Sequence, residues 1–160
     1  MESVRVHGDA QTQPGGRLNV LLMEAEGPWA DQLPRLLEPQ GVRTIRATSV
    51  DEAVEVIEHV SIHAALVDLA TPMGEQRSPL ETGGLKLLRV IRRLRPTPPA
   101  VVVRGRIFDR RTDDRVLSEA LKLEAFSVLD QPVELEQVLE TLRRLLQRHY
   151  GGLWPKAGTE

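Results

Sequence analysis

Ala64-Ala65-Leu66-Val67-Asp68-Leu69-Ala70-Thr71-Pro72 is an apolar run of strand length that ends on one carboxylate, with a proline four residues further on to stop pairing. A continuous rather than alternating apolar run reads as a strand buried on both faces, and therefore as a parallel strand inside an α/β sheet. Ligands of open α/β sheets bind at the carboxyl ends of such strands, so Asp68 is a site candidate by position and not only by charge. The local sequence leaves a second reading open, in which Asp68 caps the segment after it or pairs with a nearby arginine.

Outward from that strand, toward the amino end, the preceding helix opens on a capping box. Ser49 is followed three residues later by Glu52, and Ala53, Val54, Val56, Ile57 and Val60 recur at helical spacing. His59 and His63 flank the end of this helix, where dipole and hydrogen-bond roles are expected rather than metal ligation. Before it, residues 42–48 form a short strand set off by Pro39-Gln40-Gly41. Residues 18–23 are the first buried strand, and Glu24-Ala25-Glu26 places carboxylates at its carboxyl end too. Gly27-Pro28 breaks that strand, after which Trp29, Leu33, Leu36 and Leu37 share one helical face. Pro34 requires either a kinked helix or one whose regular part begins near Asp31, with the proline in its first turn.

Toward the carboxyl end, residues 70–82 form a loop longer than a usual βα connection. Gly83-Gly84 leads into a helix over 85–95 with Leu85, Leu87, Leu88 and Ile91 inward and Arg92, Arg93 and Arg95 outward, at the end where the dipole favours cations. The fourth strand, 100–103, ends on Arg104-Gly105. A basic loop over 106–111 precedes a helix begun by Thr112, with Asp113 and Asp114 behind it and Val116, Leu117, Ala120, Leu121 and Leu123 as its stripe. The fifth strand, 126–129, is closed by Asp130-Gln131-Pro132. The last helix, 133–149, carries Leu135, Val138, Leu139, Leu142, Leu145 and Leu146 on one wide face.

Five strand–helix units in strict alternation imply a parallel sheet covered on both faces. The expected fold is α/β, a flavodoxin-like doubly wound five-stranded sheet of order 2-1-3-4-5 with five helices. Its switch point falls between strands one and three, which end in Glu24-Ala25-Glu26 and Asp68. The 160 residues suit a single domain over 18–149, with a polar tail at 1–17 and a second tail at 150–160 that holds Leu153-Trp154-Pro155.

Composition removes several function classes. Lys and Arg number 21 against 23 Asp and Glu, a balance of −2 with no general pull toward nucleic acid. With no cysteine, disulfides, thiolate catalysis and cysteine metal sites are excluded. No apolar run approaches the roughly 20 residues of a membrane span, and the start of the chain lacks a signal-peptide core, so a cytoplasmic protein is expected. There is no Ser/His/Asp set, HExxH or P-loop, so the chain is not expected to be an enzyme. A flavin- or cobalamin-binding use of the same fold is opposed by Glu24-Ala25-Glu26-Gly27-Pro28, which is acidic where a phosphate loop would lie and has no histidine to ligate cobalt.

The residues over 18–149 resemble the receiver domain of two-component response regulators. Four positions carry the likeness: the acids after strand one, Asp68 with Pro72 after strand three, the small Gly105 after strand four, and Pro132 after strand five. The resemblance implies that Asp68 accepts a phosphoryl group from a sensor histidine kinase. It also implies a Mg²⁺ held by Asp68 with Glu24, Glu26 and the Ala70 position, and a phosphoryl pocket built from the positions of Arg104, Gly105 and Gln131. A carboxylate that attacks phosphorus approaches an anion, so a hard cation and further positive donors must offset the repulsion.

Against that pattern the chain departs in several places. Ala25 stands where the residue in closest touch with the metal is implied, and Arg104 stands where the pattern has a small hydroxyl residue. Arginine binds a phosphoryl oxygen bidentately but does not swing inward as a hydroxyl does. Gln131 replaces a lysine, and Leu129 stands where an aromatic residue is frequent. Arg104 is expected to form an ion pair with Asp68 or Glu24. The resulting expectation is a stand-alone receiver protein in two-component (phosphorelay) signalling with weakened or lost phosphorylation chemistry. The alternative is a phosphorylation-independent pseudo-receiver that acts as a protein–protein scaffold. Its partner is a sensor histidine kinase or another signalling protein. A homodimer through the last helix is open as well, with Glu134, Glu136, Glu140, Arg143, Arg144 and Arg148 either serving that face or making i,i+4 pairs on a solvated helix.

Overall fold

The computed structural model describes residues 18–23, 28–69, 82–104 and 110–151. In chain order the elements are β1 (Leu18–Met23), α1 (Pro28–Leu37), β2 (Val42–Ala47), α2 (Val50–His59), β3 (Ala64–Asp68), α3 (Gly83–Arg92), β4 (Ala100–Arg104), α4 (Arg110–Lys122), β5 (Ser127–Asp130) and α5 (Leu135–Tyr150). All strand pairs are parallel and the order is β2-β1-β3-β4-β5. The continuous apolar strands are buried on both sides, as a doubly wound sheet requires.

Successive residues of a strand face opposite sides, and the two cores divide accordingly. Leu18, Val20, Leu22, Ala64, Leu66, Val101, Val103 and Leu129 face the side that α1 and α5 cover. Leu21, Met23, Ala65, Val67, Ala100 and Val102 face the side that α2, α3 and α4 cover. This parity carries through to the strand ends, where the candidate site lies.

Helix ends differ from the sequence expectation more than strands do. α1 runs through Pro34 from a start at Pro28, so the proline lies beyond the first turn rather than in it. The leading Pro28 suits a first helical position, where its missing N–H is unpaired in any case. Leu36 stays 43% exposed, because the face set by Ala30, Leu33 and Leu37 already meets the sheet. In the same way Leu121 is 52% exposed, while Val116 and Ala120 fill the contact of α4. α3 starts at Gly83, earlier than expected, because buried Thr82 caps it by accepting from Leu85 N–H at 3.1 Å. It ends at Arg92, so Arg93 is the C-cap and Arg95 belongs to the connection. α4 starts at Arg110, ahead of Thr112.

The capping box of α2 forms with one change. Ser49 Oγ accepts from Glu52 N–H at 3.1 Å, whereas the Glu52 carboxylate accepts from the N–H and hydroxyl of Thr48, at 2.6 and 2.9 Å. The side chain thereby fixes the residue before the cap rather than the cap itself.

Candidate functional site

β1, β3, β4 and β5 run out at one rim. Leu22 pairs with Leu66, so β1 ends beside the last residues of β3. Asp68 pairs with Val103, and Arg104 pairs with Asp130. Asp68, Arg104 and Gln131 therefore stand at the ends of three successive strands. Glu24, Ala25, Glu26, Ala70, Pro72 and Gly105 fall outside the described residues, and with them most of the expected metal set. Among the described residues, no three His, Cys, Asp or Glu gather closely enough to hold a metal ion.

Asp68 is half-buried at the tip of β3. Its backbone is held from two directions. From the sheet, Leu69 N–H donates to Val103 carbonyl at 3.0 Å. From above, the first turn of α3 lies directly on the strand: a Cβ added at Gly84 would come within 2.5 Å of Asp68 carbonyl oxygen and 2.7 Å of Leu69 Cα. Only a glycine permits that approach, so Gly84 sets the height of the helix above Asp68. The sequence showed Gly83-Gly84 merely as a lead-in; a glycine just inside a helix start was the signal that the backbone is closely approached there.

Among the described residues, the carboxylate that Arg104 meets is Asp130 and not the expected Asp68; Glu24, the other expected partner, lies outside them. Arg104 Nε donates to Asp130 Oδ1 at 2.7 Å, an ion pair with the arginine side chain 31% and the aspartate 60% exposed. The reason is the alternation of the strands. Asp68 shares parity with Ala64 and Leu66 and leaves the sheet on the α1/α5 side, whereas Arg104 shares parity with Ala100 and Val102 and leaves it on the other. Asp130 is the in-register neighbour of Arg104 on that same side. The hydrogen bond to Asp130 pushes the guanidinium pKa up, burial opposes the rise, and the charges of Asp130, Asp114 and Asp113 add to it. Among the described residues, the carboxylates around Arg104 thus come from β5 and the start of α4.

Gln131 is exposed, and its N–H donates to Arg104 carbonyl at 2.9 Å, which extends the β4–β5 ladder past the strand end. The Gln131–Pro132 peptide is cis. Leu129 is buried against the α1/α5 core, and Val128 is half-buried on the opposite side. Of the positive groups a phosphoryl site would draw on, the arginine is engaged with a carboxylate and the residue before Pro132 is neutral.

No protein-family model and no curated protein matches this chain, but solved structures do. A CheY-like response regulator receiver domain protein from Methanospirillum hungatei JF-1 superposes with a TM-score of 0.67 at 20% identity, over 86% of this chain and 99% of that one. A response regulator receiver protein from Pseudomonas putida gives 0.60 at 24% identity over 81% and 98%, and a response regulator from Thermotoga maritima gives 0.61 at 19% over 82% and 98%. The fold is that of the response-regulator receiver. On this fold Asp68 and Arg104 close β3 and β4, and Gln131 follows the end of β5. Among the described residues, no helix is long and apolar enough to cross a membrane.

Proposed function

We propose that this chain is a receiver-type protein of two-component signalling in which Asp68 is the phosphoacceptor position and the response to phosphorylation is attenuated. The observation that carries the reading is the Arg104–Asp130 ion pair. It occupies the residue at the hydroxyl position with a partner on the opposite side of the sheet from Asp68. A phosphoryl group on Asp68 then finds the neutral Gln131 and an arginine that must first leave Asp130. Mg²⁺ would be held by Asp68 with Glu24 or Glu26 and a backbone carbonyl at Ala70. One or two carboxylates plus waters suffice for such a site, and with Ala25 in the set we expect it to be weak.

The chain supplies no independent catalysis in this reading, and its output passes through contacts with a sensor histidine kinase or another signalling protein. The exposed face of α5 is one candidate surface, including for a second copy of the chain. There Glu140 pairs within its own helix with Arg143 at 3.2 Å and Arg144 at 4.0 Å, so those charges are partly satisfied without a partner.

The test is a small-molecule phosphodonor with Mg²⁺, read by intact mass and by amide NMR shifts, on the wild type and Asp68→Asn. The expected result is slow, Mg²⁺-dependent modification that the substitution abolishes, with small shifts in β4, β5 and α4. Fast modification with large shifts across β5 and α5 would show an intact switch. Modification that survives Asp68→Asn would remove Asp68 from the reading.

A further inference from the structure

At the rim opposite Asp68, the start of β3 is tied to β1 through a side chain. His63 N–H donates to Asn19 carbonyl at 2.8 Å, as a parallel ladder requires. The return bond does not go to a backbone carbonyl: Asn19 N–H donates to His63 Nδ1 at 3.0 Å. A backbone N–H only donates, so Nδ1 must accept and carries no proton. His63 is therefore neutral in the folded chain, with its proton on Nε2.

The surroundings leave Asn19 no easy second acceptor. The residue is fully buried; its Nδ2 donates to Ser61 carbonyl at 2.8 Å, and its Oδ1 has no donor among the described residues. On its other side, the His63 ring meets the Tyr150 ring edge-on, with centroids 5.2 Å apart and planes at 84°. Tyr150 is the last residue of α5, so one imidazole joins β1, β3 and the end of that helix. The ring borders a cleft of about 550 Å³. Its titratable and charged neighbours there are Glu58 and His59 from α2, Arg95 from the connection after α3, and Tyr150 from α5, while β1 presents only Asn19.

We propose that His63 is an acid-sensitive latch: a proton on Nδ1 breaks the bond from Asn19, opens the β1–β3 pairing at this rim and releases the Tyr150 end of α5. This device works independently of any chemistry at Asp68. The imidazolium has no lone pair to offer Asn19 N–H, and two N–H groups would then face each other. Burial lowers the His63 pKa below its usual 6.5, so the open form takes up the proton more readily than the closed one. The sign follows from linkage. The stabilisation is present in full above pH 6.5 and is lost as the pH falls from there through the lowered folded-state value.

The experiment is hydrogen exchange at Asn19 N–H in the full chain, corrected for the intrinsic pH dependence of exchange, with the imidazole nitrogens followed by ¹⁵N NMR. In the wild type, protection is expected to be level above pH 6.5 and to drop by up to about tenfold one pH unit below it, with Nδ1 unprotonated at neutral pH. His63→Asn places an amide oxygen near the Nδ1 position, keeps an acceptor and does not titrate, so its Asn19 protection should be level across the same range. The idea is overturned by wild-type protection that stays level while His63 titrates, by a protonated Nδ1 at neutral pH, or by the same acid loss in His63→Asn. The wild-type nitrogen shifts and exchange decide the matter even if the variant does not fold.

Discussion

Gly84→Ala tests a close backbone approach at the candidate site. The new Cβ would lie 2.5 Å from Asp68 carbonyl oxygen and 2.7 Å from Leu69 Cα, against roughly 3.5 Å for comfortable contact between such atoms. Neither neighbour is the end of a flexible side chain, so relief requires α3 and β3 to part by roughly 1 Å. That movement is resisted by Leu85 and Leu88, which are 0% and 1% exposed and anchor the helix to the sheet. Two terms oppose each other. Alanine gains up to about 1 kcal/mol over glycine in a helix interior, and less in a first turn. Overpacking a filled contact costs about 1–3 kcal/mol, and toward the upper end where only backbone can yield. The clash wins, with a net loss of about 1–2 kcal/mol. At roughly 2–4 °C per kcal/mol for a chain of this size, Tm should fall by about 2–8 °C. Urea unfolding should show a lower midpoint at unchanged m-value. A variant equal to or more stable than the wild type would mean that α3 does not sit on Asp68 at this height.

The ion pair at the same rim makes a sharper local test. Arg104→Gln and Asp130→Asn should each cost at most about 1 kcal/mol at low salt, since both side chains are partly exposed. A double-mutant cycle should return a coupling of about 0.2–1 kcal/mol between them, and Arg104→Gln with Asp68→Asn should be additive. The reverse ranking of the two cycles would put Arg104 on Asp68 after all. Away from the rim, Ser49→Ala should destabilise the chain by about 1 kcal/mol through loss of the α2 cap; exchange at Glu52 N–H, the donor to Ser49 Oγ, should quicken first.

Much of the fold was legible because a parallel sheet writes itself as uninterrupted apolar runs. The runs at Leu18–Met23 and Ala64–Asp68 coincide with β1 and β3, and the alternation with helices leaves few topologies. Helix starts were less legible where the first turn is set by tertiary contact. Arg110 and Arg111 oppose the α4 dipole, so the sequence pointed to Thr112, yet the helix begins with them. Thr82 reads as the end of a loop in the sequence and is a buried cap in the structure. Leu36 and Leu121 fit a helical stripe at its margin, and the residues beside them already fill the contact with the sheet. At the site, the position of Asp68 followed from the sequence, but the partner of Arg104 did not. That assignment turns on parity: a one-residue shift along β4 moves a side chain to the other side of the sheet. The register that decides it, Arg104 opposite Asp130, exists only once the strands are paired.

The same parity bounds how strongly Asp68 can control the rest of the molecule. A two-state element moves from about 1:99 to 99:1 only if its trigger favours one state by about 5.5 kcal/mol. Suppose that Asp68 carries a phosphoryl group and that Arg104 turns to bind it. A hydrogen bond to a charged group contributes about 1.5–3 kcal/mol, and leaving Asp130 gives back up to about 1 kcal/mol. The surplus of about 0.5–3 kcal/mol shifts a population about twofold to some 150-fold, short of a full switch. A lysine before Pro132 would add a second charged contact, but Gln131 is neutral. Gln131→Lys should therefore enlarge the response to phosphodonor in the NMR experiment, and Asp130→Asn, which releases Arg104 to turn toward the phosphoryl group, should enlarge it further. If both together leave the response as small as in the wild type, the attenuation has its origin in the metal set around Ala25 and not in the ends of β4 and β5.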